Sequence, residues 1–87
     1  MGRAELTHEE EVARGKAAEI LLRNELLAEA FETLEKTYTA GWKATAPGQT
    51  DELERLHALI TALDDVRGHL EQIATTGELA RRQLGID

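Results

Sequence analysis

The sequence predicts an all-α fold: an antiparallel two-helix hairpin with a long first helix, a shorter second helix and a short C-terminal helix. Leu, Ala and Glu dominate the 87 residues, and aromatic side chains make up only 3%. These abundant residues have high helix propensity, whereas strands favour the β-branched and aromatic residues that are scarce here. Apolar residues also recur in alternating steps of three and four, which is the spacing of one helix face. We expect residues 1–87 to form a single domain.

The first helix is predicted over about residues 8–44. Thr7 and Glu10 have the spacing of a capping box, in which each side chain bonds the other residue's backbone N–H. Gly15 and Gly41 lie inside the helix and mark either fraying or a close approach of another backbone. The apolar row that we expect to form its seam is Ala13, Ala17, Ile20, Asn24, Leu27, Phe31, Leu34, Tyr38 and Gly41.

A turn is predicted over residues 45–50, because Pro47 and Gly48 form a strong turn signal. The second helix then covers about residues 51–75, with Thr50 or Asp51 as its N-cap. Its predicted seam is Leu53, Leu56, Ile60, Leu63, Arg67, Leu70 and Ala74, and a second apolar row of Leu59, Val66 and Ile73 runs beside it.

A third, short helix is predicted over about residues 78–84. Gly77 suits the residue that follows a helix end, so we expect helix 2 to stop before it. Helix 1 would exceed helix 2 by roughly 12 residues. The C-terminal segment, with Leu79, Leu84 and Ile86, is expected to fold back over this overhang.

Surplus apolar surface predicts self-association into a coiled-coil or bundle oligomer. Two adjacent apolar rows are wider than a two-stranded coiled coil can cover, and Leu26 and Ala30 also lie off the seam of helix 1. Asn24 and Arg67 interrupt the seams, where they either fix the register or lie at the edge. The residues expected at the hairpin or oligomer interface are Ile20, Leu27, Phe31, Leu34, Tyr38, Trp42, Leu56, Ile60, Leu63, Val66, Leu70 and Ile73.

Composition and charge exclude several classes of protein. The sequence contains no cysteine, which rules out a disulfide scaffold and a thiolate zinc site. The formal net charge of −7 disfavours direct binding of nucleic acid. No apolar run approaches the roughly 20 residues that span a bilayer, and the N-terminus resembles no signal peptide, so we expect no membrane partner and a cytoplasmic location.

Few residues could carry chemistry. Glu54 and His57 have the carboxylate–imidazole spacing of a di-iron half-site. Carboxylates of helix 1, at Glu25, Glu29 and Glu32, could complete a metal site there. The alternative interpretation is an ordinary helix start, since acidic residues favour the positive end of the helix dipole. Asp64 and Asp65 point about 100° apart and are expected to pair with Arg67 and His69 on the helix surface.

We therefore expect no cofactor and no enzymatic activity. Ser is absent, and the sequence contains neither a Gly-rich phosphate loop nor a nucleophile–base arrangement. Tyr38 and Trp42, one helical turn apart, form either a recognition hot spot or a plug at the end of the bundle.

Four segments resemble short helical-hairpin proteins encoded in the DNA-packaging clusters of tailed phages, prophages and gene transfer agents. The segments are Ala30 to Glu35 (AFETLE), Trp42 to Thr45 (WKAT), Leu63 to Leu70 (LDDVRGHL) and Thr76 to Ala80 (TGELA). The resemblance implies a non-enzymatic adaptor like a terminase small subunit, which forms a homo-oligomer and engages a packaging motor or portal protein. It places the protein in the cytoplasm of a bacterial host or in the virion.

The sequence departs from typical small terminases in lacking a helix-turn-helix DNA-binding domain, and its acidity disfavours direct DNA recognition. Two other interpretations remain open. One is a ferritin-like metal-binding dimer that uses Glu54 and His57, and the other is a general coiled-coil interaction protein.

Overall fold

A computed structural model describes residues 6–85 of the chain. These residues form three helices, α1 (His8–Arg23), α2 (Glu25–Ala44) and α3 (Thr50–Leu84), and no strand occurs among them. The predicted all-α class is confirmed over this range, while Ile86 lies outside it. The chain divides into two compact units: unit 1 combines the residues up to Arg23 with those from His69 onward, and unit 2 is Asn24–Gly68.

The predicted capping box at the start of α1 is confirmed. The backbone N–H of Thr7 donates to Oε1 of Glu10 at 3.0 Å, and the N–H of Glu10 donates to Oγ1 of Thr7 at 3.1 Å. Hydrogen bonds to the carboxylate, first from the backbone N–H of Thr7 and then from its side chain, favour the ionised form and lower the pKa of Glu10. The start of α1 is therefore specified by two residues three positions apart in the sequence.

The prediction of one helix over residues 8–44 is wrong, because Asn24 separates α1 from α2. Asn24 has an extended backbone, with φ −68° and ψ 120°, and its side-chain oxygen accepts from the N–H of Leu27 at 2.9 Å. Asn is among the strongest N-cap residues, since its side-chain oxygen accepts from a backbone N–H of the first turn that has no partner within the helix. Asn24 therefore starts a helix instead of fixing a seam, and it is exposed.

The predicted turn is present, with residues 45–49 outside the helices. Gly48 has φ +90°, a conformation that favours glycine, and the amide oxygen of Gln49 accepts from the N–H of Ala46 at 3.0 Å. The carbonyl of Gln49 also accepts from the N–H of Leu53 at 3.1 Å. The residue that precedes α3 is therefore Gln49, and the predicted caps Thr50 and Asp51 lie in the first turn instead.

Helix α3 corrects the prediction of two C-terminal helices over 51–75 and 78–84. It continues without interruption through Gly77, which is buried inside the helix. A glycine is compatible with a helix interior when another backbone lies against it and leaves no room for a side chain. Gly77 meets that condition in unit 1, so its role is close packing and not helix termination.

Unit 1 is built on the approach of Gly15 in α1 to Gly77 in α3. A Cβ atom added to Gly15 would lie 2.7 Å from the Cα of Gly77. Ala18 in α1 and Ala80 in α3 are each 2% exposed and follow these glycines by about one turn on their own helices. Small side chains allow the two backbones to come close, and this close contact determines which face of α1 is buried.

The predicted seam of helix 1 is consequently wrong within α1. Ala13 and Ala17 are exposed, and Ile20 is 70% exposed. The buried face instead contains Gly15 and Ala18. The helix that was expected to carry the row ends at Arg23, and α2 begins separately at Glu25.

In unit 2, α2 and the first part of α3 run antiparallel. Phe31 near the start of α2 contacts Arg67, while Trp42 near its end contacts His57. Leu56 is 4% exposed and is the one large side chain buried to that degree among residues 6–85. The half-buried apolar residues around it in unit 2 are Leu27, Phe31, Tyr38, Leu53, Leu59, Ile60 and Leu63.

Candidate interaction surface

The structure divides the predicted interface residues into inward and outward sets. In unit 2, Leu56 is buried and Leu27, Phe31, Tyr38, Ile60 and Leu63 are half-buried, whereas Leu34, Trp42 and Val66 are exposed. In unit 1, Leu70 and Ile73 are half-buried and Ile20 is exposed. Helix spacing alone does not separate these sets, because both contain residues at heptad positions.

One flank of unit 2 is polar. The Nη2 atom of Arg67 lies 3.3 Å from Oε2 of Glu35, and its guanidinium lies 5.3 Å from the centre of the Phe31 ring. Arg67 is half-buried and bonds to the neighbouring helix, so the expected pairing with Asp64 on its own helix is wrong. Arginine suits this position because its flat guanidinium can both pair with a carboxylate and stack on a ring.

The same flank carries Trp42 and His57 close to the turn. Their ring centres lie 5.8 Å apart with an interplanar angle of 53°. The structure thus places His57 against an aromatic ring, and Glu54 is exposed beside it. Between residues 6 and 85, no group of three or more His, Asp and Glu side chains is arranged to hold a metal ion.

The opposite flank of unit 2 is apolar. Leu34 precedes Glu35 by one residue and Val66 precedes Arg67 by one, which turns each side chain by about 100°. When two right-handed helices run antiparallel, moving one residue toward the N-terminus on either helix rotates the side chain toward the same flank of the pair. Leu34 and Val66 therefore lie on the flank opposite Glu35 and Arg67. We call this surface the uncharged flank; it comprises Leu26, Ala30 and Leu34 of α2 with Leu59, Ala62 and Val66 of α3.

Much of this flank is open to solvent. Leu26 is 73% exposed, Leu34 40% and Val66 54%. Ala30 and Ala62 are exposed as well, and Leu59 is half-buried. Single exposed leucines are common on proteins, but neighbouring ones on two packed helices form a continuous apolar surface.

The six side chains of this surface carry no charge although 31% of the sequence is charged, and the ion pair of Arg55 with Glu52 lies at its end near the turn, one turn before Leu59. Helical spacing places every charged residue of α2 on its other faces, including Glu32 and Lys36, which pair at 2.8 Å. The flank continues through Thr37, whose hydroxyl donates to the carbonyl of Thr33 at 2.8 Å. Because that hydroxyl is already bonded, covering it with a partner has a small desolvation cost.

Sequence reasoning recognised part of this surface and missed its extent. The row through Leu59 and Val66, with Leu26 and Ala30, was predicted to be surplus apolar area. The signal that could have located the flank is the lack of charge on one side of α2 from Leu26 to Ala40. Its continuation onto α3 required the antiparallel register, which the sequence does not specify.

Unit 1 contains a different feature, an open cleft between α1 and α3. Its volume is about 170 Å³, and Glu11, Arg14, His69, Gln72 and Thr76 are among its lining residues. Small-molecule sites typically occupy about 300–1,000 Å³ and bury most of the ligand. The cleft is smaller than that range, so we assign no ligand to it.

Comparisons with known proteins identify no relative: no family model, curated protein or solved structure matches this chain. Within the part of the chain that the structure describes, no helix is long and apolar enough to cross a membrane.

Proposed function

We propose that this chain is a non-enzymatic assembly or adaptor protein of phage-type DNA packaging, similar in role to a terminase small subunit. In this proposal it engages a packaging motor or portal protein. The observation that carries the proposal is the uncharged flank, an exposed apolar surface on two packed helices of a strongly charged chain.

The physical argument concerns solvation. Exposed apolar side chains gain about 25 cal/mol for each Å² that a partner removes from water. Charged side chains lose their hydration when they are covered, and the centres of protein interfaces are depleted in charged residues. A surface that combines exposed leucines with an absence of charge therefore favours contact with another protein.

The packaging role rests on the resemblance of four short segments to packaging-cluster proteins. One of them, residues 30–35, contains Ala30 and Leu34 of the uncharged flank, and another, residues 63–70, contains Val66. The net charge of −7 supports contact with protein in preference to the phosphate backbone of DNA. An adaptor that joins protein components of a packaging machine is consistent with both observations.

Co-expression with candidate partners tests the proposal. A tagged chain would be expressed with the large motor subunit, and separately with the portal protein, encoded in the same gene cluster. We expect at least one of them to co-purify in a defined ratio. We also expect deletion of the gene to lower the yield of nuclease-protected DNA, and the wild-type gene to restore it.

A paired substitution identifies the surface responsible. Leu34→Glu with Val66→Glu adds two charges to the flank, while Ala28→Glu with Thr61→Glu adds the same two charges to exposed positions elsewhere on the same helices. The first pair should abolish co-purification and the second should preserve it. Unchanged DNA packaging after gene deletion, together with no co-purification, would reject the proposal.

A further inference from the structure

We infer that the outer face of α1 binds an acidic amphipathic helix of a protein partner. This face belongs to unit 1, whereas the uncharged flank belongs to unit 2. The inference goes beyond the proposed function, because it adds a second binding surface and states the chemistry of the helix that it accepts. The apolar part of the outer face consists of Ala13, Ala17, Ile20 and Leu21.

The packing of unit 1 leaves these apolar residues uncovered. Helix α3 packs on the side of α1 that carries Gly15, so the residues about half a turn away face solvent. Ile20 is 70% exposed and Leu21 46%, and both alanines are exposed as well. The steps of four and three from Ala13 through Ala17 to Ile20 are those with which one helix packs along another. The outer face therefore has the pattern of a helix-binding surface, and α3 lies on the opposite side.

A groove beside the outer face offers space for large side chains of a partner. It lies between α1 and α3, has a volume of about 180 Å³ and is lined by Arg14, Ala17, Ala18, Leu21, Leu70 and Ile73. Apart from Arg14, every lining residue is apolar. The alanines allow another backbone to approach closely, and the groove accepts the side chains that project from it, as ridges pack into grooves between helices.

Cationic residues border the outer face on both sides. Helical spacing places Arg14 along one edge and Lys16 and Arg23 along the other. All three are exposed, and none takes part in an ion pair within residues 6–85. Apart from Lys43, the other Lys and Arg residues of this range pair with glutamates; they are Lys36, Arg55, Arg67, Arg81 and Arg82. The cations that a partner can use are therefore concentrated on α1.

The carboxylates of α1 lie away from this face. Glu9 and Glu10 precede it at the start of the helix, and the carboxylate of Glu10 already accepts from the N–H of Thr7. Glu19 is half-buried on the side nearer to α3. Although the whole chain carries a charge of −7, salt screens exposed charges beyond about 8 Å, so the residues next to the face have the largest effect on a bound helix. A helix with acidic residues on both sides of an apolar seam complements this arrangement.

Selection from a displayed library of helical peptides tests the inference, with the full chain as bait. Each peptide has about 18 residues with leucines in a heptad seam, and the positions beside the seam vary among Glu, Gln and Lys. Peptides that also bind the variant Ile20→Gln with Leu21→Gln are removed, so that those retained require the outer face. We expect the retained peptides to be enriched in Glu. Retention of no peptide, or retention without Glu enrichment, would overturn the inference.

Charge reversal on α1 tests the role of the cations. Arg14→Glu, Lys16→Glu and Arg23→Glu in one chain should weaken binding of a selected peptide by about tenfold, the effect expected of three exposed ion pairs together. Fluorescence anisotropy of the labelled peptide measures this change. The matched control carries Lys36→Glu, Lys43→Glu and Arg55→Glu, which change the net charge equally in unit 2 and should leave binding close to that of the wild type. Helical circular dichroism should be retained in both variants, and equal weakening by both would overturn the inference.

The two proposals fail in distinguishable ways. Leu34→Glu with Val66→Glu alters the uncharged flank and should leave peptide binding to α1 unchanged. If no peptide requires the outer face while a packaging protein still co-purifies through the flank, this inference is overturned and the adaptor function stands. Glu-rich peptides that require Ile20 and Leu21 would support the inference even if neither packaging protein co-purifies.

Discussion

Gly15 in α1 lies so close to Gly77 in α3 that a methyl group on Gly15 would come within 2.7 Å of the Cα of Gly77. The same construction on Gly77 would also meet the carbonyl oxygen of Glu11 at 2.8 Å. Both obstacles are backbone atoms, which cannot rotate away as a side chain can. The packing of unit 1 therefore requires glycine at both positions, because a Cβ atom on either residue would overlap with the backbone of the opposite helix.

Gly15→Ala and Gly77→Ala are each expected to lower the free energy of unfolding by about 1–3 kcal/mol, the usual cost of overpacking. Alanine favours the helix over glycine by up to ~1 kcal/mol, so the measured loss of stability is the overpacking cost minus this gain. Urea denaturation followed by circular dichroism measures it. Gly68→Ala is the control, because nothing lies within 4 Å of its added Cβ, and it should raise stability.

Leu56→Ala is expected to lower the free energy of unfolding by about 2–5 kcal/mol. Leu56 is 4% exposed and packs beside Gly41, so truncation removes buried area and leaves a cavity. The matched control is Leu79→Ala, the same chemical change at a residue that is 54% exposed, where we expect about 0.5 kcal/mol or less. Equal losses in thermal or urea unfolding would show that Leu56 does not form the centre of unit 2.

Asn24→Ala should reduce the free energy of unfolding by about 0.5–2 kcal/mol. The substitution removes the oxygen that accepts from the N–H of Leu27 and leaves the start of α2 without its cap. Asn24→Asp retains an acceptor at the same position and is expected to stay close to the wild type. If alanine and aspartate gave the same stability, the break at this position would have a cause other than capping.

Glu10 makes the stability of α1 dependent on pH. Its pKa is lowered from the ordinary value of 4.5 by the bonds from Thr7, so the carboxylate is favoured in the folded chain. This contribution is complete above pH 4.5 and is lost as the pH falls through the lowered pKa. The pKa values of Glu32 and Glu52 are lowered in the same direction, by hydrogen bonds from Lys36 and Arg55.

We therefore expect the midpoint of thermal unfolding to fall more steeply with acid in the wild type than in Glu10→Gln, over the range from about pH 5 to pH 3. Glutamine keeps an oxygen that can accept the N–H of Thr7 but cannot titrate. Scans of ellipticity against temperature at several pH values measure the difference. Parallel pH profiles for the two proteins would contradict a titrating cap.

Local chemistry alone predicted several features. The all-α class follows from composition, the start of α1 from Thr7 and Glu10, and the turn from Pro47 and Gly48, because each depends on residues close together in the chain. The row from Leu53 to Ala74 was also predicted on one face of the helix, and its second member, Leu56, is buried. Helix-forming and turn-forming interactions extend over only a few residues, and a sequence displays them directly.

Non-local packing accounts for the rest. Gly77 is compatible with a helix interior and with a helix end, and its conformation depends on what lies against it. Gly77 stays helical beside Gly15, 62 positions away in the sequence, and that approach buries Gly15 and Ala18 while leaving Ile20 exposed. The uncharged flank likewise exists as one surface because the antiparallel register puts Leu34 and Val66 on the same side. Periodicity identifies the faces of a helix, but a partner helix selects which of them is covered.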